Sequence, residues 1–240
     1  MSTASGQRFR VDHVVIRTPG RDALVEWVSR LSGRPVLDGY QPGGEVVSRG
    51  VRFANGPFLD VFAQQEAEAP ALILQGPIAD LEAVAAARDW AFRSYPREAI
   101  TDPGADQPWS MLMFRRGQGL LTQISALEYA ADPAPWALPA FSGPLYPPDT
   151  PPDQGVRLRR VWLGALDVKR AAGDLMALGF VVAGPVASDF APHAGTLFRG
   201  SRADLVLFLG PDGVARIDID GREPQRVDLT PDLALVCGEA

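Results

Sequence analysis

One succession of predicted elements occurs three times along the 240 residues of this chain: an apolar strand, an amphipathic helix and a β-hairpin. The copies occupy about residues 11–64, 70–127 and 158–210. A single unit of this kind cannot bury its own apolar face, so the units of one chain pack against each other. The recurrence therefore predicts a repeat architecture of the α+β class.

Helical periodicity and capping residues define the predicted helices. Apolar residues recur at helical spacing in three segments, 20–33, 78–92 and 167–179. Gly33 and Gly179 are predicted to end the first and third helices, and Asp167 is predicted to cap the N-terminus of the third. Two of the three helices therefore have defined ends in the sequence itself.

A β-hairpin is predicted to close each copy. Asn55-Gly56 lies between two apolar runs, which is the strongest short-range hairpin signal. The second hairpin is predicted to turn at 115–119, and the third to occupy 195–210. The alternating tail at 213–229 is predicted to add one more strand.

A proline-rich connector separates the second copy from the third. Residues 132–155 contain eight prolines, which excludes a helix or a central strand. Three aromatic side chains in it predict that it docks on a surface: Trp136, Phe141 and Tyr146. We therefore predict three regions: paired units at 8–130, the connector at 131–156, and a third unit with its tail strand at 157–240.

Composition restricts the classes of partner. Hydrophobic residues make up 46% and charged residues 22%, which is ordinary for a soluble globular protein. The net charge of −6 and the absence of a Lys/Arg cluster argue against nucleic acid, and no apolar run is long enough to predict a membrane partner. The N-terminus lacks the apolar core of a signal peptide, so we expect a cytoplasmic protein. The single cysteine, Cys237, excludes an intrachain disulfide and a cysteine-based zinc site.

Three short sequences indicate a known family. The first copy opens with DHVVI (12–16) and closes on FLDVF (58–62), and the connector contains LPAF (138–141). Together with the element order over about 9–210, they resemble the vicinal oxygen chelate superfamily, which includes glyoxalase I, extradiol dioxygenases and bleomycin-resistance proteins. The chain is most similar to the glyoxalase-like proteins of that superfamily. The resemblance implies that two βαβββ units pair into a curled-sheet cavity and that a third unit is appended.

The resemblance also implies a set of metal ligands. Members of the superfamily bind a divalent metal through the first and last strands of each unit. On this chain those positions are occupied by His13, Asp60 and Gln123, while the fourth position falls near Ala71, which cannot bind a metal. The resemblance therefore implies an iron, manganese, zinc or nickel site, and the lost fourth ligand leaves a cavity without metal equally open. The matching positions of the third unit hold Arg160 and Val206, so it carries no site of this kind.

Strand alternation places further polar and aromatic side chains beside these positions. His13 shares a strand face with Arg17, and Asp60 shares one with Phe62. In the second unit, Gln123 is expected to share a face with Ser125. We predict three substrate contacts on this face: Arg17, Phe62 and Ser125.

In an alternative interpretation no metal is bound, and the same charged groups pair with each other. In that reading His13 pairs with Asp60 or with a backbone carbonyl, and Arg17 satisfies the Asp60 carboxylate. Asp12 is expected to face the opposite way. His193 lies in a loop and is expected to be solvated.

Two functions remain open at this point. In the first, a metal enzyme (a lyase, an isomerase or a dioxygenase) acts on a substrate with vicinal oxygens. In the second, the same cavity binds and sequesters a small molecule without metal. In either case we predict a homodimer, because an odd number of units leaves one without an internal partner. The third unit or the tail strand at 213–220 is expected to contribute to the dimer contact.

Overall fold

The computed structural model describes residues 8–40, 46–66, 68–96, 109–129, 155–187, 194–220, 225–230 and 233–237. The three aromatic residues of the connector and His193 lie outside these ranges. Within the described ranges the chain forms two sheets with helices packed against them. No helix in those ranges combines the length and hydrophobicity that crossing a bilayer requires.

The first two units form one eight-stranded sheet, with strand order β2-β3-β4-β1-β5-β8-β7-β6. Its strands are β1 (Arg10–Thr18), β2 (Val36–Tyr40), β3 (Val46–Arg52), β4 (Phe58–Ala63), β5 (Glu68–Gln75), β6 (Phe92–Tyr95), β7 (Trp109–Phe114) and β8 (Ile124–Tyr129). Helices α1 (Arg21–Ser32) and α2 (Ile78–Ala87) follow the first strand of each unit. The units join where β1 and β5 pair antiparallel, which confirms the predicted pairing of two βαβββ units.

The third unit forms a seven-stranded sheet together with the tail, with strand order β10-β11-β12-β9-β13-β15-β14. Its strands are β9 (Leu158–Ala165), β10 (Val181–Val186), β11 (Gly195–Arg199), β12 (Asp204–Leu209), β13 (Gly213–Ile219), β14 (Gln225–Thr230) and β15 (Leu233–Cys237). Helix α3 (Val168–Ala177) follows β9.

The prediction of a single tail strand is wrong, because the tail supplies three. In the second sheet β13, β15 and β14 take the positions that β5, β8 and β7 hold in the first. The tail is therefore an incomplete fourth unit, and the third unit is paired within its own chain. The described residues of the tail contain strands and no helix, in contrast to the strand–helix–hairpin pattern of the other three units.

The predicted helix ends and the first hairpin are confirmed. Gly33 ends α1 in the left-handed region at φ 65°, and the Asp167 carboxylate accepts a hydrogen bond of 2.9 Å from the Arg170 backbone N–H. Gly56, in the turn between β3 and β4, has φ 101°, a conformation that glycine adopts without strain.

One apolar core joins the helix-facing sides of the two sheets. In β1, Val14 and Ile16 are fully buried and share this core with Val28 of α1. Leu163 of β9 and Leu175 of α3 belong to the same core. Because a fully buried aliphatic side chain stabilises the fold by about 1.5–3 kcal/mol, this core holds the two sheets together. The other face of the first sheet carries most of the predicted site residues, and we call it the site face.

Candidate functional site

Strand pairing brings five of the six predicted site residues onto the site face. In the register of β1 with β4, Val15 lies opposite Asp60 and Arg17 lies opposite Phe62. Strand alternation puts His13 on the same face as Val15 and Arg17. In β5 and β8, Ile73 lies opposite both His13 and Ser125, so Ser125 faces the same way. The site face therefore holds five of the predicted residues: His13, Arg17, Asp60, Phe62 and Ser125.

A small apolar cluster forms the floor of this face. Val15, Ile73 and Leu127 are 6%, 5% and 3% exposed and contact each other across β1, β5 and β8. Phe62 and Trp109 pack against them from the two sides. The polar groups of the site face therefore lie beside an apolar surface that is largely shielded from water.

Gln123 does not lie on the site face. Residues Gly119–Gln123 form a 3₁₀ helix, and β8 begins only at Ile124. A Cβ atom placed on Gly213 of the second sheet would lie 3.6 Å from Cγ of Gln123. The predicted strand alternation of Gln123 with Ser125 is therefore wrong, and Gln123 faces the second sheet.

His13 is held by the neighbouring Asp12. The Asp12 carboxylate is 3% exposed, and its Oδ2 lies 2.8 Å from Nδ1 of His13. The Tyr129 hydroxyl donates to the same oxygen at 2.8 Å, and Nη1 of Arg202 donates to Oδ1 at 3.3 Å. Asp12 thus joins the site face to the turn between β11 and β12, where Arg202 lies.

The protonation state of Asp12 determines which ring nitrogen of His13 carries a hydrogen. Burial by itself raises the pKa of Asp12, but the hydrogen bonds and charge of His13 and the hydrogen bond of Tyr129 outweigh burial and hold that pKa below its usual value. An ionised carboxylate can only accept hydrogen bonds, so Nδ1 of His13 is the donor. In the neutral ring, Nε2 is then the nitrogen with a free lone pair.

The expectation that Asp12 faces away from His13 is wrong because β1 is irregular at this point. The register between β1 and β5 shifts between Val11 and His13, as in a β-bulge. A bulge interrupts the alternation of side chains, which lets two adjacent residues contact each other. The other partners of Asp12, Tyr129 and Arg202, are 117 and 190 residues away in the sequence, and no local pattern indicated them.

Asp60 has an unsatisfied carboxylate oxygen. Its Oδ1 is buried and finds no hydrogen-bond partner in the part of the chain that the structure describes. Burial raises the pKa of Asp60, while the charges of His13 and Arg17 and a hydrogen bond from Ser48 partly oppose that rise. Asp60 is therefore the polar group of the site face that a ligand would satisfy most directly.

The predicted pairing of Asp60 with its charged neighbours is not what the structure shows. Nε of Arg17 lies 3.8 Å from Oε2 of Glu68, and the guanidinium lies 5.6 Å from the centre of the Phe62 ring. His13 forms its hydrogen bond with Asp12 and not with Asp60. Both predicted partners of the Asp60 carboxylate are thus engaged elsewhere.

The described residues do not fit the metal site that the resemblance implied. His13 and Asp60 share the site face, but Gln123 lies on the side of the second sheet. No group of three or more His, Cys, Asp or Glu side chains that could hold a metal ion occurs among the described residues. A divalent metal normally requires at least three protein ligands, so His13 and Asp60 alone are too few.

The corresponding face of the second sheet is filled by a buried ion pair. Nε1 of Trp162 donates to Asp218 at 2.7 Å, and Nε of Arg216 donates to the other oxygen of the same carboxylate at 2.5 Å. Nη1 of Arg160 lies 4.0 Å from Asp218, and Val206 is fully buried. The carboxylate there is satisfied by protein groups, in contrast to Asp60.

Known proteins resemble this chain in structure and not in sequence. No protein-family model and no curated protein sequence matches it. A hypothetical protein from Staphylococcus aureus superposes with a TM-score of 0.61 at 7% identity, over 95% of this chain and 98% of that one. The 2,3-dioxygenase LapB from Pseudomonas sp. KL28 gives 0.57 at 12% identity, over 96% and 92% of the two chains. Homoprotocatechuate 2,3-dioxygenase from Arthrobacter globiformis gives 0.57 at 12% identity, over 95% and 79%.

At these identities the likeness shows the fold alone. Two of the structures named above are 2,3-dioxygenases, and they align over nearly the whole of this chain. The chain therefore shares the tandem βαβββ fold of these dioxygenases, and this is the fold that the sequence resemblance predicts.

Proposed function

We propose that the protein binds a small organic molecule on the site face without a metal ion. Asp60 and His13 would hydrogen-bond its polar group, while Phe62 and Arg17 would contact its apolar or anionic part. The observation that carries this proposal is the buried Oδ1 of Asp60, which has no partner among the described residues.

An unsatisfied buried carboxylate is costly for the fold. Leaving such a group without a hydrogen bond costs about 1–3 kcal/mol or more. Apolar neighbours on the site face increase that cost, because they exclude water. A ligand that donates an O–H or N–H group to Oδ1 recovers this free energy on binding. The proposal therefore requires a ligand with at least one hydrogen-bond donor.

The floor and the rim of the face limit the rest of the ligand. Phe62 is partly exposed and packs against the buried cluster of Val15, Ile73 and Leu127, so its ring can stack on an aromatic ligand. The Arg17 side chain is 37% exposed at the rim, where it can meet an anionic substituent. A hydroxylated aromatic compound, with or without a carboxylate, combines these properties.

A second candidate function is catalysis of proton transfer. Asp12 holds Nδ1 of His13, which leaves Nε2 as a base, and a carboxylate-oriented histidine is a common general base. In that case His13 would take a proton from a bound substrate, and Asp60, whose pKa burial raises, would donate or accept a hydrogen bond beside it. This arrangement corresponds to an isomerase or lyase that works without metal.

Calorimetric titration with catechol and hydroxybenzoate ligands, with and without excess chelator, tests the binding proposal. We expect binding that persists in chelator and weakens about tenfold in Asp60→Asn, because one hydrogen bond to a charged group is lost. Asp38→Asn is the matched control, since Asp38 lies in β2 of the same sheet and pairs with Arg49. Binding that disappears in chelator and returns with iron, manganese, zinc or nickel would contradict the proposal and support a metal enzyme.

Exchange of ligand protons for deuterium separates the binding function from the catalytic one. The ligand found above is incubated with the protein in heavy water and followed by NMR. Exchange that depends on the protein and disappears in His13→Gln supports catalysis. Unchanged ligand spectra under saturating protein support binding alone.

A further inference from the structure

We propose a second ligand site at the β6 edge of the eight-stranded sheet, where a groove would bind a small aromatic anion through its carboxylate or phosphate group. This site is independent of the function proposed above. The groove is shallow and open to solvent, with a volume of about 570 Å³. Its lining residues are Arg93, Tyr95, Met113, Phe114, Arg115 and Arg116.

Strand pairing assembles the groove from two distant parts of the sequence. β6 is the last strand of the sheet, and its Arg93 lies opposite Met113 of β7. Arg115 and Arg116 follow directly after β7. Arg115 and Arg116, which are adjacent in the sequence, thereby line the same groove as Arg93.

These arginines lack acidic partners in the described ranges. None of Arg93, Arg115 and Arg116 forms an ion pair there, although the chain as a whole carries a net charge of −6. Nε of Arg115 donates to the backbone carbonyl of Phe92 at 3.4 Å, which ties its guanidinium to β6. Three like charges around one groove repel each other, and a bound anion would relieve that repulsion.

The groove also has an apolar wall. Met113 is 43% exposed, which is high for a large apolar residue in the interior of a strand. The guanidinium of Arg93 lies 4.7 Å from the centre of the Tyr95 ring, a stacking distance that leaves its N–H groups available at the edge. A flat apolar body can therefore lie against Met113 and Tyr95 while its charged group meets the arginines.

The guanidinium group selects the chemistry of the anion. Its planar fork of N–H donors matches the paired oxygens of a carboxylate or a phosphate. Both chemistries are compatible with the groove, so the test includes one aromatic compound of each kind. Two control compounds separate these contributions. Inorganic phosphate carries the negative charge but no aromatic ring, and benzyl alcohol carries the aromatic ring but no charge.

Ligand-observed NMR titration tests the site with benzoate and phenyl phosphate, on the wild-type chain and on Arg93→Gln and Arg115→Gln. Arg199→Gln is the matched control, because Arg199 is an exposed arginine of the second sheet that pairs with Asp204. Asp60→Asn separates this site, on β6 and β7, from the proposed site at Asp60 on β4. All three arginines are exposed at the edge of the sheet, so thermal melting should be nearly unchanged in these variants.

We expect at least one of the two aromatic anions to bind and to lose affinity at least fivefold in Arg93→Gln and in Arg115→Gln. Affinity should fall with added salt and stay unchanged in Arg199→Gln and in Asp60→Asn. Competition by inorganic phosphate should be weaker than competition by phenyl phosphate. Absence of saturable binding, equal affinity in Arg93→Gln and wild type, or equal binding of benzyl alcohol would each overturn the proposal.

Discussion

Asp60 carries a carboxylate where burial disfavours its charge. Burial raises the pKa of Asp60 in the folded state. Over the pH range between the unfolded and the folded pKa, the Asp60 carboxyl group therefore keeps its proton in the folded chain and has lost it in the unfolded chain. Stability from this group therefore falls as pH rises through that range. At neutral pH the residue costs stability, as residues of binding sites commonly do.

Removal of the Asp60 charge should therefore stabilise the protein. We expect Asp60→Asn to raise the free energy of unfolding by about 1 kcal/mol at pH 7, which is about 2–4 °C in Tm. The difference should shrink as pH falls below about 4, the ordinary pKa of an unfolded aspartate, because both states then increasingly hold the proton. Thermal melting at several pH values measures this, with Asp38→Asn as control. A lower Tm for Asp60→Asn at pH 7 would show that the carboxylate has a stabilising partner.

Asp12 has the opposite relation to pH. Its pKa is lowered in the folded state, so its stabilisation is present above about pH 4 and is lost as pH falls through the folded pKa. We expect Asp12→Asn to lower the free energy of unfolding by about 3 kcal/mol at pH 7, because it leaves the buried donors and Arg202 without their anion.

Urea denaturation at neutral and acidic pH measures the Asp12 effect. The gap between wild type and Asp12→Asn should narrow as pH falls below about 4. Asp22→Asn, which alters an exposed ion pair of α1, should cost less than about 1 kcal/mol. A gap that is independent of pH would contradict an ionised Asp12.

The sequence predicted single residues well where strand alternation is regular. Strand alternation predicts that His13 and Arg17 share a face, as do Asp60 and Phe62, and β1 and β4 keep that period of two through their paired positions. Asp12 was placed wrongly because a bulge is not visible in a local apolar pattern.

At the scale of elements, the β3–β4 turn does more than reverse the chain. Nδ2 of Asn55 donates to the backbone carbonyls of Leu158 at 2.7 Å and Arg202 at 2.5 Å. The Leu158 N–H donates back to Oδ1 of Asn55 at 3.0 Å. One turn residue therefore links the first sheet to the second.

Asn55→Asp separates these two roles of the turn. Asp-Gly supports the same turn as Asn-Gly, but a carboxylate has no donors for two buried carbonyls. We expect a loss of about 2 kcal/mol in the free energy of unfolding, measured with urea. A change below about 0.5 kcal/mol would mean that the link contributes little.

Capping residues and turn residues allowed the helices and the first hairpin to be predicted, because their signals are local. The 3₁₀ helix Gly119–Gln123 was missed, since its apolar residues fit a strand alternation equally well. Continuous alternation also makes the three tail strands look like one segment in the sequence. Their pairing is set by the tertiary fold, with β13 between β9 and β15.

At the scale of the whole molecule, the tail removes the original reason to expect a dimer. The predicted contact strand at 213–220 corresponds to β13, which pairs with β9 and β15 of the same chain. The homodimer itself stays a prediction, and a different strand at the edge of a sheet would have to form the contact between the two copies. β10 is an outer strand whose Val181 and Val182 are 65% and 46% exposed, so we propose that two copies meet there.

Light scattering tests the dimer. We expect twice the chain mass of 25.8 kDa for the wild type and the mass of a single chain for Val182→Lys, because a charge on an edge strand opposes pairing. Met176→Lys, at an exposed apolar residue of α3, is the control and should stay dimeric. A wild-type protein with the mass of one chain would refute the homodimer, and a dimeric Val182→Lys would place its contact elsewhere.

A crystal structure of the complete chain, grown in chelator with the tightest-binding hydroxylated aromatic ligand, tests metal-free binding at Asp60 most directly. We expect the ligand on the site face, with a donor oxygen or nitrogen about 3 Å from Oδ1 of Asp60 and Nε2 of His13 directed at it. A ligand bound elsewhere, with Oδ1 of Asp60 still lacking a partner, would contradict the proposed function.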